Sequence, residues 1–89
     1  MTFDQMTFQT ALVTGGAGGI GYSVAETLLS RGLKVCLVDL QMDALRAAQS
    51  KLKGETMIIA IDVADIAAAE RAVKAVVDKW GRLDILVQA

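Results

Sequence analysis

The chain has 89 residues, 54% of them apolar, and nine basic against ten acidic side chains leave a net charge of −1. A chain this short makes one domain at most and buries only about 60% of the surface its unfolded form exposes, so apolar faces can be left over for a partner. No basic stripe speaks for nucleic acid, no apolar run approaches the roughly 18 residues of a membrane span, and one cysteine with no histidine gives no basis for a disulfide or a metal site.

Residues 1–9 read as an N-terminal tail without the basic start and apolar core of a signal peptide, so a cytoplasmic protein is expected. Thr10 to Thr14, T-A-L-V-T, is a short apolar strand. From about Gly18 to Arg31 the spacing turns helical, with Ile20, Val24 and Leu28 in one row, Ala25 and Leu29 in the next, and Gly32 as the left-handed stop. Leu33–Asp39 is a second strand, in which Cys36 reads as a small buried apolar residue. Gln41 to Lys53 is helical, with Met42, Leu45, Ala48 and Leu52 on one side and Lys51 and Lys53 at its negative dipole end; Gly54 closes it. Met57 to Asp62 is predicted as a third, buried strand. Asp65 caps the next helix, in which Ile66, Ala69, Val73, Val76 or Val77, and Trp80 share a face, and Gly81 ends it. L-D-I-L-V, Leu83–Val87, begins a fourth strand. Alternating strands and helices with near-continuous apolar strands predict an α/β domain over residues 10–89, a parallel sheet with helices on both faces.

Five of the eight glycines fall within T-G-G-A-G-G-I-G, Thr14 to Gly21. The loop joins a strand to a helix N-terminus, where unpartnered amides and the helix dipole favour an anion, and glycines let a pyrophosphate approach the backbone. Gly16, Gly18 and Gly21 satisfy G-x-G-x-x-G; Thr14, Gly15, Gly19 and Gly21 satisfy T-G-x-x-x-G-x-G. No lysine stands at a Walker A position, so a P-loop is excluded. The glycines alone also suit a tight strand-to-helix connection with no ligand. Asp39 ends the second strand 18 residues beyond Gly21, where an acid accepts the hydroxyl protons of a ribose and repels a 2′-phosphate. Leu40, Gln41 and Met42 follow it and the loop holds no Arg or Lys, so NAD is preferred over NADP. A cap for the following helix is the other reading of Asp39.

With these markers the sequence resembles the classical short-chain dehydrogenases/reductases from about Thr10 to Val87. T-G-G-A-G-G-I-G matches that family's T-G-x-x-x-G-[IL]-G loop, Val38-Asp39 its NAD-selecting acid, Ile61-Asp62-Val63 the D-V after its third strand, and W-G-R-L-D-I-L-V the lead into its fourth. The resemblance implies a Rossmann-like sheet of order 3-2-1-4 in which Gly15, Gly18, Gly19 and Gly21 form the pyrophosphate loop, backed by Ile20. It implies further that Asp39 takes the adenosine ribose and that Asp62 and Val63 take the adenine. On its own, Asp62 reads equally as a helix-initiating turn.

The family continues with N-N-A-G where this chain has Gln88-Ala89, and its catalysis uses a serine and a Tyr-x-x-x-Lys pair. The one tyrosine here, Tyr22, directly follows the glycine loop and has Glu26 four places on, so no catalytic residue is assigned. In that sheet order a fourth strand with no further neighbour is an open edge. It predicts a homodimer through Leu83, Ile85 and Val87, fourth strand against fourth strand, which would also cover apolar faces around Val24–Leu28 and Val73–Val77. Three functions remain: a non-catalytic NAD(H)-binding module, the N-terminal fragment of an NAD-dependent oxidoreductase acting between alcohol and ketone, and a dimeric interaction protein with a vestigial nucleotide site.

Overall fold

A computed structural model describes residues 8–89, so the first seven residues of the expected tail lie outside the described residues. Strands β1 (Thr10–Thr14), β2 (Lys34–Asp39), β3 (Thr56–Ala60) and β4 (Ile85–Gln88) alternate with helices α1 (Gly19–Ser30), α2 (Met42–Lys51) and α3 (Ile66–Trp80). All pairings are parallel and the order is β3-β2-β1-β4, as expected. Thr14 pairs with Val38 and Gln88, and Asp39 with Ala60, so the carboxyl ends of all four strands meet at one edge.

β1 and β2 are apolar throughout because both of their faces are covered. Ala11, Val13, Val35 and Leu37 point to one side, against Ala25 and Leu29 of α1 and Leu45 and Ala48 of α2. Leu12, Cys36 and Val38 point to the other side, against Ala72 and Val76 of α3. The result is three layers: two helices, the sheet, one helix. The expected apolar row of α2 packs inward as read, with Leu45 and Ala48 buried and Met42 and Leu52 half-buried.

Three expectations change. β3 is half-buried along its length, because it has one neighbouring strand, and it ends at Ala60, where β2 has no further residue to pair. β4 begins at Ile85 instead of Leu83, after a junction built on Asp84. The core face of α3 is Ala68, Ala72 and Val76; Ile66 stands 73% exposed and Val73 and Val77 are 38% and 40% exposed. Alanines let the helix axis come close to the sheet, which turns the larger row out to the flank. The caps hold: the Asp65 carboxylate accepts the Ala68 N–H at 3.2 Å, and Gly81 closes the helix at φ 83°.

Asp84 ties the start of β4 to the start of β1. Its Oδ2 accepts the Gln9 and Thr10 amides at 2.8 and 3.1 Å, and Arg82 grips it through Nη2 at 2.6 Å and Nε at 2.9 Å. The Thr10 hydroxyl donates to the Arg82 carbonyl at 2.6 Å, closing the cluster. The Arg82 hydrogen bond, with the two amides adding to it, holds the Asp84 carboxyl down at about 2.

A candidate dinucleotide site at the carboxyl edge of the sheet

The glycines of the Thr14–Gly21 loop divide into two sets by what a side chain would meet. Gly15 takes φ 67°, the left-handed region. A Cβ on Gly16 would lie 2.9 Å from the Leu37 side chain, and one on Gly21 would run into the Gly15 carbonyl oxygen. Gly16 and Gly21 are required by the close approach of the loop to β2 and of α1 to the loop, and Gly15 by its left-handed backbone and the Ala89 carbonyl 3.0 Å from where its Cβ would stand. Gly18 and Gly19 are different. A Cβ on Gly19 would meet nothing within 4 Å, and one on Gly18 only the Gly15 oxygen at 3.5 Å. Both are exposed, as is Ile20 at 75%. No side chain caps α1, and its N-cap is Gly18, so the first amides of the helix face open space.

Asp39 is drawn onto this loop. Its Oδ2 accepts the Ala17 N–H at 3.1 Å and its Oδ1 the Leu40 N–H at 2.8 Å. The strand beneath it also holds the loop, since the Gly16 N–H donates to the Val38 carbonyl at 3.1 Å. The helix-cap reading of Asp39 is not what the fold uses: the N-cap of α2 is Gln41, and no side chain bonds there. Asp39 further accepts the Ile61 N–H at its carbonyl, at 2.9 Å, which brings the start of Ile61-Asp62-Val63 to the same edge. Asp62 makes a turn there, its Oδ1 accepting the Ala64 N–H at 2.9 Å and its carbonyl the Asp65 N–H at 3.0 Å. Val63 is half exposed and borders a recess of about 110 Å³ with Thr14, Val38, Ile61, Leu86 and Gln88.

The sequence reading missed one contributor, the backbone of Ala17, while Gln88 was already set where the family continues with asparagine. The Ala17 amide fixes the Asp39 carboxylate, and nothing in an alanine side chain announces such a backbone role. Gln88 sits beside Thr14 in the β1–β4 register and so borders the same edge.

A strand–glycine loop–helix with an acid at the end of the next strand is the frame in which the comparison with known proteins is decisive. The family model for short chain dehydrogenases matches residues 9–89. The chain belongs to this family. Among relatives, sorbitol dehydrogenase of Cereibacter sphaeroides is 40% identical over 79 residues, covering 89% of this chain and 31% of that protein. Human 15-hydroxyprostaglandin dehydrogenase [NAD(+)] is 44% identical over 84 residues, covering 89% of this chain and 32% of the relative. A short-chain dehydrogenase/reductase structure from Mycobacterium ulcerans superposes with a TM-score of 0.87 at 34% identity, covering 91% of this chain and 32% of that one. A metagenomic short-chain oxidoreductase in complex with NADP gives 0.82 at 33% identity, covering 88% and 37%. The short-chain dehydrogenase chain described here therefore spans about a third of the length of the relatives it matches, and the portion it spans is the Rossmann half. Family members carry NAD or NADP. Among the described residues no helix is long and apolar enough to cross a membrane.

Proposed function

We propose that this chain is an NAD(H)-binding Rossmann half, holding the adenosine and pyrophosphate of the cofactor without itself supplying the residues of catalysis. The observation that carries the reading is the pairing of open glycines with a fixed acid. Gly18 and Gly19 leave the first amides of α1 approachable although no neighbour within the fold demands a glycine at Gly19, and Asp39 is held against the same loop by Ala17. In this reading the pyrophosphate lies over Gly15, Gly18, Gly19 and Gly21, with Ile20 beside it. Asp39 accepts the ribose hydroxyls, and Asp62 and Val63 flank the adenine. NAD supplies the hydride acceptor when bound; this stretch binds and orients it. An acid at Asp39 followed by Leu40, with no cation in the loop, favours NAD(H) over NADP(H). The NAD(+) in the name of the human relative agrees, while the metagenomic structure with NADP shows that the fold accommodates both.

A second reading is favoured by the threefold greater length of the relatives. In a longer polypeptide the same half would serve hydride transfer between an alcohol or ketone and NAD, with the proton-transfer residues outside these 89 positions. A vestigial site in a purely dimeric interaction protein is the weaker reading, because it gives no reason for Gly19 to remain a glycine. A homodimer is also proposed through the free edge of β4, where Leu83, Ile85 and Val87 are half-buried and the strand pairs only with β1 among the described residues. Cross-linking that yields only monomer at micromolar concentration would refute that contact.

The test of binding is a calorimetric titration of the 89-residue chain with NADH, with NADPH as control and Asp39→Ala alongside. Saturable NADH binding is expected, weaker for NADPH and weakened by about tenfold or more in Asp39→Ala, the order of one lost charge-assisted hydrogen-bonding group. No heat at millimolar NADH from folded protein, or equal affinities for the two cofactors, would overturn it.

A further inference from the structure

The fold takes up the amides at the start of the glycine loop one after another. The Gly16 N–H donates to the Val38 carbonyl at 3.1 Å, the Ala17 N–H to Asp39 Oδ2 at 3.1 Å, and the Gly18 N–H to the Gly15 carbonyl at 3.0 Å. Beyond them, the Tyr22 N–H reaches the Gly18 carbonyl at 2.8 Å as the helix begins, so among the described residues the amides of Gly19, Ile20 and Gly21 are left open. Of the amides taken up, only that of Ala17 goes to a side chain, and that side chain is the acid of the nucleotide site.

Asp39 is held at both of its oxygens. Oδ1 accepts the Leu40 N–H at 2.8 Å, a bond to the next residue, whereas the bond from Ala17 to Oδ2 spans 22 residues and ties the end of β2 to the loop. A carboxylate offers about four acceptor sites over its two oxygens, so each oxygen keeps room for a further donor. A free aspartate side chain moves among staggered χ1 positions, and by turning it could yield to an incoming 2′-phosphate. Asp39 turns only by breaking the bond to Ala17, which would leave the amide of a half-buried residue without a partner. A carboxylate fixed in this way suits the paired hydroxyls of a ribose and does not give ground to a phosphate. Selectivity depends on what a site repels as well as on what it accepts.

Resting on the nucleotide reading above, we propose that the main-chain amide of Ala17 is a positioning group for the cofactor: by pinning Asp39 it sets how strongly the site prefers NADH to NADPH. The charge of Asp39 draws the ribose hydroxyls, and the bond to Ala17 keeps that charge where a 2′-phosphate would have to stand. Removing the bond while leaving the charge should therefore lower the preference itself, and not merely the affinity.

The test replaces the Ala17 amide by an ester, made by chemical synthesis with lactic acid at that position, which deletes the N–H and keeps both the methyl group and Asp39. Ala17→Pro also lacks the proton, falls at a residue whose φ is not positive, and is run beside it. Calorimetric titration of the 89-residue chain with NADH and with NADPH gives the ratio of the two affinities, and melting curves show that each chain is folded. The expected result is a preference for NADH reduced about tenfold, with NADH bound more weakly and NADPH no more weakly than by the parent. A preference that stays the same or grows overturns the proposal, whether both affinities fall together, as a loosened loop alone would make them, or neither moves. Amide hydrogen exchange of the chain without cofactor gives a readout that needs no binding. The Ala17 amide should be protected relative to that of Gly19 in the parent and should exchange like it in Asp39→Ala. An Ala17 amide as open as that of Gly19 in the folded parent overturns the proposal. A folded parent that binds neither cofactor, or binds both equally, overturns the nucleotide reading, and the positioning role falls with it.

Discussion

Substituting alanine at two glycines of the same loop should separate what the loop does for the fold from what it does for a ligand. Gly21 is buried in the first turn of α1, and a Cβ there would run into the Gly15 carbonyl oxygen and stand 2.7 Å from its carbon and 3.0 Å from the Gly16 Cα. The loop cannot easily retreat, because that oxygen accepts the Gly18 N–H at 3.0 Å and Gly15 is already held at φ 67°. Overpacking of this kind costs about 1–3 kcal/mol, and the better helix propensity of alanine returns up to about 1 kcal/mol. Because the obstacle is backbone, the upper end applies, so Gly21→Ala should lose about 2 kcal/mol, which for a chain of this size lowers the melting temperature by about 8–16 °C. Gly19→Ala meets no neighbour, so its melting temperature should equal the parent's or rise by a few degrees. Far-ultraviolet circular dichroism melts measure both. In an NADH titration Gly19→Ala should nevertheless bind poorly, since its methyl group would stand in the approach to the α1 amides. Gly21→Ala melting at or above the parent, or Gly19→Ala melting as low as Gly21→Ala, would refute the packing argument. Gly19→Ala binding NADH as tightly as the parent would refute the cradle.

Three further outcomes follow from the fold. The Asp84 carboxyl is held at about 2, below the ordinary 3.8, so the clamp contributes fully above about pH 4 and is lost as pH falls from there toward 2. Asp84→Asn should flatten melting temperature against pH in that window relative to the parent, and an unchanged acid slope would show that the clamp carries no linkage. Burial pushes the Cys36 thiol up to about 12, so a disulfide reagent at pH 8 should leave folded protein unmodified and label it fully on unfolding; rapid labelling of folded protein would contradict the closed sheet centre. Leu37→Ala removes a fully buried side chain that also backs Gly16, and a loss of about 2–5 kcal/mol in urea unfolding is expected, together with weaker NADH binding. A loss well under 1 kcal/mol would mean the side chain is not packed as described.

The strands were legible because their apolar runs are short and bounded by glycines and acids, and β1 emerges as read, while the order 3-2-1-4 came from the family resemblance and holds. Their ends were less so. The limit of β3 depends on where its neighbour β2 stops, and the start of β4 depends on Asp84 turning back to the Gln9 and Thr10 amides. Both are contacts between segments far apart in the chain, which no local pattern encodes. At the site the same division holds. The glycine loop and Asp39 lie within one strand–loop–helix–strand unit and could be read together, whereas the bond from Ala17 to Asp39 and the place of Gln88 beside Thr14 belong to the assembled sheet.

The difference between the expected and observed faces of α3 has a physical cause. Counting apolar positions by size selects Ile66, Val73 and Val77, since a valine or isoleucine removes more area from water than an alanine does. Yet a helix that covers a sheet alone gains from close approach, and Ala68 and Ala72 permit it while Val76 fills the remaining gap. The preference for small residues at the contact rotates the helix by about a quarter turn from the face that size predicts, and one residue in a helix is about 100°. The larger row then stands on the exposed flank of the helix. Val76 and Trp80 of the expected row do pack on the sheet, so the size-based reading was right in part, and what it missed is the close approach through Ala68 and Ala72.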